Sequence, residues 1–546
     1  MKQKSYAYGV SRYALLGETI GENLRNTYSK FPGREALISV HQNYRATYSM
    51  LWQQVTTVAK ALLAIHVKKG DRVAIWSPNC YEWVLVQYAT ARIGAILVNI
   101  NPAYLTSELE YALGQSGTSV LISALEFKRS NYKDMIGQAK SSCKNLREVI
   151  FLGEDWESFL HKAINISDEQ LEAAESTLQF DDPINIQYTS GTTGFPKGVT
   201  LSHHNILNNG YFGGKRLHYT EEDKVCIPVP FYHCFGMVIG NLCCTSAGAC
   251  IVIPSESFEP LKVLQAVEKE RCTSLYGVPT MFIEELQLPE FDRFDLSSLR
   301  TGVMGGSPCP VEIMKKVQSL MHMKDVQICY GMTETSPVST QTSAGTPFEK
   351  QVSTVGTVQE HLEIKIINPQ TGELQERNMP GELCTRGYSV MLGYWNNSKA
   401  TEEVIDEAGW MHTGDLATMD DDGYVNIVGR IKDMILHGGE NISPREIEEF
   451  LYTHEAIADV QVIGVPSKKF GEEVMAWVKI KSGYSLTKHE LRQFCGNKIA
   501  RYKIPRYWKF VDGFPLTVTG KIRKVEMREA AIVELGLQEA VKIKTA

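Results

Sequence analysis

From residue 71 to residue 330, short apolar runs alternate with stretches of helical periodicity, and this alternation restricts the fold more than any other feature of the chain. The apolar run Val73-Ala74-Ile75-Trp76 leads into Ser77-Pro78, a helix-start signal. A helical stretch follows over 81–93, Gly94 breaks it, and residues 95–98 form a second apolar run. The same order recurs, with strands expected at 149–152, 184–188, 251–253, 274–278 and 326–330 and helices at 261–270 and 311–321. Repeated β/α alternation predicts an α/β architecture of stacked, mostly parallel sheets covered by helices.

At 546 residues the chain is too long for one core. Its character changes near Gly429-Arg430-Ile431-Lys432-Asp433. Beyond that point Ser443-Pro444-Arg445-Glu446 reads as a capping box with proline at the first helical position, opening a helix through Ile447, Phe450 and Leu451. Thr487 and Glu490 repeat the device, and strands are expected at 460–465 and 474–480. The division expected is a large N-terminal domain, 1–431, and a small α+β C-terminal domain, 432–546.

Acidic residues (63) and basic residues (56) mix without long single-sign blocks and leave a net charge of -7, so the basic footprint of a nucleic-acid binder is missing. Of twelve cysteines no pair has C-x-x-C spacing, and six fall between Cys226 and Cys272, several in apolar runs where a free thiol acts as a small buried hydrophobe. That usage fits a reducing compartment. The start of the chain lacks the apolar core of a signal peptide, and no window approaches 18 uninterrupted apolar residues. A cytoplasmic protein without an integral membrane segment is expected.

After the expected strand at 184–188 comes Thr189-Ser190-Gly191-Thr192-Thr193-Gly194-Phe195-Pro196-Lys197-Gly198. Glycines let a backbone approach an anion with its amides pointing inward, hydroxyls add donors, and Lys197 adds charge, so phosphate is the natural guest. Pro196 before Lys197 departs from G-x-x-x-x-G-K-[ST], which disfavours an ordinary P-loop.

This string resembles the phosphate loop of the adenylate-forming superfamily, which holds acyl-CoA synthetases, luciferases and peptide-synthetase adenylation domains. Further segments match in order: Tyr330-Gly331-Met332-Thr333-Glu334, Gly414-Asp415, Gly429-Arg430, and Pro515-Leu516-Thr517-Val518-Thr519-Gly520-Lys521. The resemblance implies ATP, Mg2+ and coenzyme A, with a carboxylic acid as the other substrate. It makes Glu334 the magnesium ligand, a hard oxygen donor. Thr333 is placed at the α-phosphate, and Tyr330 with Gly306-Ser307-Pro308 at the adenine. Asp415 and Arg430 are placed at the ribose, where one accepts and the other donates hydrogen bonds. Lys521 becomes the catalytic cation of adenylation, acting with Lys197, Thr333 and Glu334; Lys432 becomes the hinge on which a mobile C-terminal domain turns; and Gly438, Gly439 and Glu440 face coenzyme A.

The segment Pro230-Phe231-Tyr232-His233-Cys234-Phe235-Gly236 resembles the family's acyl side. His233, Phe235, Gly236, Gly305 and Gly331 are the acyl-pocket candidates, with packing of His233 among aromatics the plain alternative. Acetate-specific relatives carry a bulky aromatic at the place of Gly331, so a deeper pocket is implied here. His203-His204 reads as structural, since adjacent helical residues do not share a face. The tail is most similar to the medium-chain branch called acyl-CoA synthetase family member two; its mammalian members carry a mitochondrial leader, from which the short N-terminus here departs, so the cytoplasmic expectation is kept.

The function implied is an ATP-dependent medium- to long-chain fatty acid:CoA ligase working through acyl-AMP. An aryl-CoA ligase, an adenylation protein loading a carrier thiol and a luciferase-like oxygenase use the same motifs, and a nucleotide-sensing relative without catalysis is the non-enzyme alternative. A homodimer is compatible with the sequence.

Overall fold

The computed structural model describes residues 3–189, 196–307, 309–437, 440–496, 498–517 and 522–541. Among them, one seven-stranded sheet runs Gly393–Tyr394, Lys197–Ser202, Pro183–Thr189, Ile96–Asn99, Arg72–Trp76, Val120–Ser123, Glu148–Phe151 from edge to edge. The five strands from Pro183–Thr189 onward in that order are parallel, and Lys197–Ser202 returns antiparallel as a hairpin. A nine-stranded sheet has at its centre the parallel strands Asp325–Gly331, Thr301–Gly305, Ser274–Gly277, Lys224–Cys226, Cys250–Ile253 and Glu35–Ser39. The expected alternation is realised, because strands covered on both faces can be apolar at every position, as Val73 to Trp76 are. One core joins the two sheets: Val73, Ile75 and Leu97 belong to the same apolar cluster as Leu37, Val225, Ile251 and Tyr276. The helix Tyr81–Arg92 is buried at every position from Glu82 onward, which explains why it lacks a polar stripe. It starts three residues beyond the Ser77-Pro78 signal, with Cys80 as an N-cap that makes no side-chain hydrogen bond.

A third sheet of the large region is antiparallel, in the order Tyr6–Tyr8, Leu362–Ile367, Gly381–Gly387, Met411–Met419, Val425–Arg430. Of its strands only Leu362–Ile367 alternates apolar and polar residues, and the partners lie far apart in sequence, Tyr6 opposite Lys365. Beyond residue 434 a fourth sheet pairs Ile457–Ser467 with Gly471–Ile480, adds the hairpin Ile435–His437 and Glu440–Ile442, and takes Tyr507–Phe510 parallel to Gly471–Ile480. Its own apolar core includes Ile447, Leu451, Val460, Val478 and Leu491. Thr487 and Glu490 form the expected capping box. Ser443 does not: its hydroxyl donates to the Val428 carbonyl, and the helix Pro444–Tyr452 begins without a side-chain cap bond. Tertiary contact has outcompeted the local bond here, and Arg445 reinforces it by donating to the Ile427 carbonyl at 2.6 Å.

All twelve cysteines are free thiols, eleven of them buried. Among the described residues no helix is long and apolar enough to cross a membrane.

Glu285, on the helix Pro279–Leu286, is 1% exposed and neither carboxylate oxygen has a hydrogen-bond partner. Burial, with Glu284 beside it, pushes its carboxyl well above the ordinary 4.5. As pH rises past 4.5 the unfolded chain releases this proton while the folded chain keeps it, so stability falls until the raised folded value is passed. Glu285→Met keeps the volume and removes the unpaired group, and is expected to raise stability at pH 8 by about 1–3 kcal/mol. The check is the urea midpoint at pH 5 and pH 8; a variant no more stable at pH 8 than the parent contradicts the assignment.

Candidate active site

The C-terminal ends of parallel strands gather the sequence-nominated residues. Pro183–Thr189 ends at Thr189, whose ladder partner is Lys197. Thr301–Gly305 and Asp325–Gly331 are neighbours in register, Gly305 opposite Cys329, so Gly306-Ser307 and Tyr330 emerge at the same edge. This edge is where open α/β sheets bind ligands.

Two clusters form there. In the first, the short 3-10 turn Thr333–Thr335 places Glu334, 6% exposed, with its Oε1 accepting from the Tyr394 hydroxyl at 2.9 Å. Lys197 Nζ lies 4.7 Å from the centre of the Tyr394 ring, so the aromatic face receives the cation while its hydroxyl serves the carboxylate. The Met391 amide donates to the Glu334 carbonyl at 2.9 Å, which fixes the turn against the strand Gly393–Tyr394 region. Thr333 is equally buried. Glu334, with one oxygen committed to Tyr394, is a hard-oxygen donor that suits a magnesium ion.

In the second, Tyr330 donates to Asp415 Oδ2 at 2.7 Å and Arg430 Nε lies 3.3 Å from Asp415 Oδ1. Asp415 and Arg430 face each other across the antiparallel pair Met411–Met419 and Val425–Arg430. Against Gly381–Gly387 the first of these strands carries extra residues between His412 and Leu416, and Gly414 takes φ +70°. A bulge of this kind re-aims the side chain beside it, here Asp415 toward Tyr330. Asp415 is 8% exposed, and burial holds its carboxyl above the usual range although Arg430 and Tyr330 pull it down. Arg430 is 63% exposed, a donor turned to solvent on its other edges.

The acyl-side candidates are tied to the strand that leads into the phosphate loop. Asn99 Nδ2 donates to the Tyr232 carbonyl at 3.0 Å, Asn185 donates to Asn99, and Gln187 accepts from the Cys234 thiol at 3.1 Å. Phe235–Leu242 is wound as a π-helix, a rare geometry that favours functional sites. Phe235 stacks on Tyr276 with ring centres 5.7 Å apart. His233 is half-buried, and its Nδ1 accepts from the Phe235 amide at 3.2 Å. A Cβ on Gly236 would stand 2.4 Å from the Pro230 carbonyl oxygen, and one on Gly305 3.1 Å from that of Cys329. At Gly331 the clash is worse, 1.7 Å from the Pro337 oxygen, a reason for glycine independent of pocket depth. Gly331→Ala is therefore expected to cost at least about 2 kcal/mol of stability, since backbone must move. Thermal melting checks this, and an unchanged midpoint would refute the packing argument.

His203 is fully buried, its Nδ1 accepting from the Ile20 amide at 3.2 Å, and burial drags its pKa down to about 3. Ser190, Gly191, Thr192, Thr193, Gly194, Pro308, Gly438, Gly439 and Lys521 lie outside the described residues, as do the side chains of Lys432 and Glu440. Flanking Lys521, Leu516 bridges Ile522 and the Arg523 amide donates to the Pro515 carbonyl at 2.9 Å. Tyr394 is the residue sequence reasoning missed: a tyrosine in Gly393-Tyr394-Trp395 carries no local signal, and only the fold sets it between Lys197 and Glu334.

Known proteins resemble this chain along most of its length. The family model described as AMP-binding enzyme matches residues 24–395, and that of the AMP-binding enzyme C-terminal domain matches residues 446–521. The Bacillus subtilis (strain 168) protein YngI, which bears the name of an acyl-CoA synthetase, is 48% identical over 546 residues, spanning 96% of this chain and 99% of its own. The medium-chain acyl-CoA ligase ACSF2, mitochondrial, of Danio rerio is 44% identical, spanning 98% of this chain and 91% of its own. Among solved structures, the anthranilate CoA ligase AuaEII in complex with anthranoyl-AMP superposes with a TM-score of 0.85 at 25% identity, covering 96% of this chain and 99% of that one. ATP-bound MatB from Rhodopseudomonas palustris gives 0.83 at 27%, covering 94% and 99%.

Proposed function

The chain belongs to the AMP-binding enzyme family, and from that premise we propose that it joins medium- to long-chain fatty acids to coenzyme A. It is an acyl-CoA synthetase, a ligase that forms a carbon–sulfur bond through an acyl-AMP. The observation that carries the reading is that the strand Asp325–Gly331 leads into both clusters, Tyr330 bonding Asp415 beside Arg430 and Glu334, in the turn that follows, accepting from Tyr394 beside Lys197.

A carboxylate is a poor acyl donor because oxide would have to leave, and conversion to a mixed anhydride with AMP divides the difficulty. In the first step a carboxylate oxygen of the acid attacks the α-phosphorus of ATP, and the bond to the bridging oxygen of pyrophosphate breaks. Lys197 and Lys521 supply cations where negative charge builds up, and Thr333 donates to the α-phosphate. Asp415 accepts from the ribose hydroxyls and Arg430 donates to them, while Tyr330 and Gly306-Ser307 border the adenine. Glu334 is the residue that would hold Mg2+, which supplies charge neutralisation at the phosphates. In the second step the sulfur of coenzyme A attacks the acyl carbon and AMP leaves with the bonding electrons.

Residues 432–546 act as a mobile domain turning at Lys432, which removes Lys521 after adenylation and brings Gly438, Gly439 and Glu440 to the thiol. Support for that assignment is the separate apolar core of the fourth sheet. The acid's class is supported by the ACSF2 relatives, which bear the name of medium-chain acyl-CoA ligases, and a cytoplasmic location is supported by the free, mostly buried cysteines. Pyrophosphate exchange across saturated acids of graded length, with benzoate and anthranilate included, tests it. Exchange strongest with a fatty acid longer than butyrate is expected, and exchange confined to the aromatic acids would assign an aryl-CoA ligase instead.

A further inference from the structure

A group of metal-capable side chains stands on the antiparallel sheet, away from Glu334. Glu382 and Cys384 lie two residues apart on the strand Gly381–Gly387, so their side chains leave the same face. His412, on Met411–Met419, is the ladder partner of Cys384. His412 Nδ1 lies 3.6 Å from Cys384 Sγ and 3.1 Å from Glu382 Oε2, and the three ligand atoms all fall within 4.8 Å of one another.

The separation of Cys384 Sγ from His412 Nδ1 matches a coordination shell. Bond lengths of about 2.3 Å to sulfur and about 2.05 Å to nitrogen, meeting at a tetrahedral angle, put the two donors about 3.5 Å apart. On its other side the imidazole has a charge neighbour: Nε2 lies 3.7 Å from Asp406 Oδ2, within ion-pair range and beyond hydrogen-bond length. Cys384 is itself buried beside Ile367 and Trp410, whereas His412 is 31% exposed, so an ion has a way in and a water can complete the shell.

We infer that Glu382, Cys384 and His412 form a binding site for one divalent cation of the zinc class. A thiolate with an imidazole and one carboxylate selects a borderline ion such as Zn2+ or Co2+ and rejects Mg2+ and Ca2+, which take oxygen ligands. The site is therefore chemically distinct from the nucleotide's magnesium at Glu334 and does not depend on which acid the enzyme activates.

Titration of the full-length chain with Co2+, without nucleotide, tests this. The expected result is a thiolate-to-cobalt charge-transfer band that saturates at one equivalent, is bleached by one equivalent of Zn2+, and is untouched by excess Mg2+. Cys384→Ser should lose the band. Glu382→Gln keeps an acceptor for the Gly414 amide, which now donates to Glu382 Oε1 at 3.1 Å, and should weaken the affinity about tenfold. Circular dichroism of each variant confirms the fold. Absence of the band in the wild-type chain, or its persistence in Cys384→Ser, overturns the inference.

Discussion

Lys521→Ala is expected to lower adenylate formation by about a hundredfold to a thousandfold, the usual loss when one positioned donor of transition-state charge is removed. Thioester formation from supplied acyl-AMP and coenzyme A should continue at the wild-type rate. The split follows from where charge develops. In adenylation a carboxylate approaches a triphosphate, and a compact ammonium on a flexible stem can sit between them. In the second step the acyl group leaves an anhydride already formed, and that cation has no partner to neutralise. Pyrophosphate exchange measures the first half-reaction, and single-turnover release of AMP from supplied acyl-AMP measures the second. Equal loss of both would show that Lys521 holds the fold or serves both conformations, and the role assigned to it would fall.

Glu334→Gln carries the second-largest expected effect, a fall of about a hundredfold in adenylation at fixed Mg2+. The substitution keeps shape and an acceptor oxygen for the Tyr394 hydroxyl, now 2.9 Å from Glu334 Oε1, so stability should change little. In the proposed role, what disappears is one negative charge that would hold the metal at the phosphates. Raising Mg2+ should recover part of the rate in the variant and leave the wild type unchanged once saturated. Rate against Mg2+ concentration is the measurement. A variant with wild-type activity and wild-type Mg2+ dependence would remove Glu334 from the metal's ligands.

Much of the architecture was readable from the chain. The strands at Arg72–Trp76, Pro183–Thr189, Cys250–Ile253 and Asp325–Gly331 appear within a residue or two of the apolar runs, because parallel strands buried on both faces leave a continuous apolar signature. The antiparallel sheet holding Asp415 and Arg430 was harder to read: Leu362–Ile367 alternates, but strands such as Met411–Met419 carry a weaker pattern and the edge strand Tyr6–Tyr8 finds its partner across most of the chain. Two capping signals of equal appearance had different fates. Thr487 bonds the Glu490 amide at 3.2 Å at an exposed helix end, whereas Ser443 meets the Val428 carbonyl and spends its hydroxyl there. Local rules hold where nothing distant competes.

The order of residues establishes which chemical groups are present: a glycine- and hydroxyl-rich loop ending in Lys197, a carboxylate at 334, an Asp–Arg pair at 415 and 430, and a lysine at 521. Which of them meet is set by the fold. Tyr330 reaches Asp415 across 85 positions and Tyr394 reaches Glu334 across 60, and neither pairing has a local signal. Such contacts depend on sheet register and on the bulge at Gly414, and those are fixed by packing of the whole core rather than by any short stretch of chain.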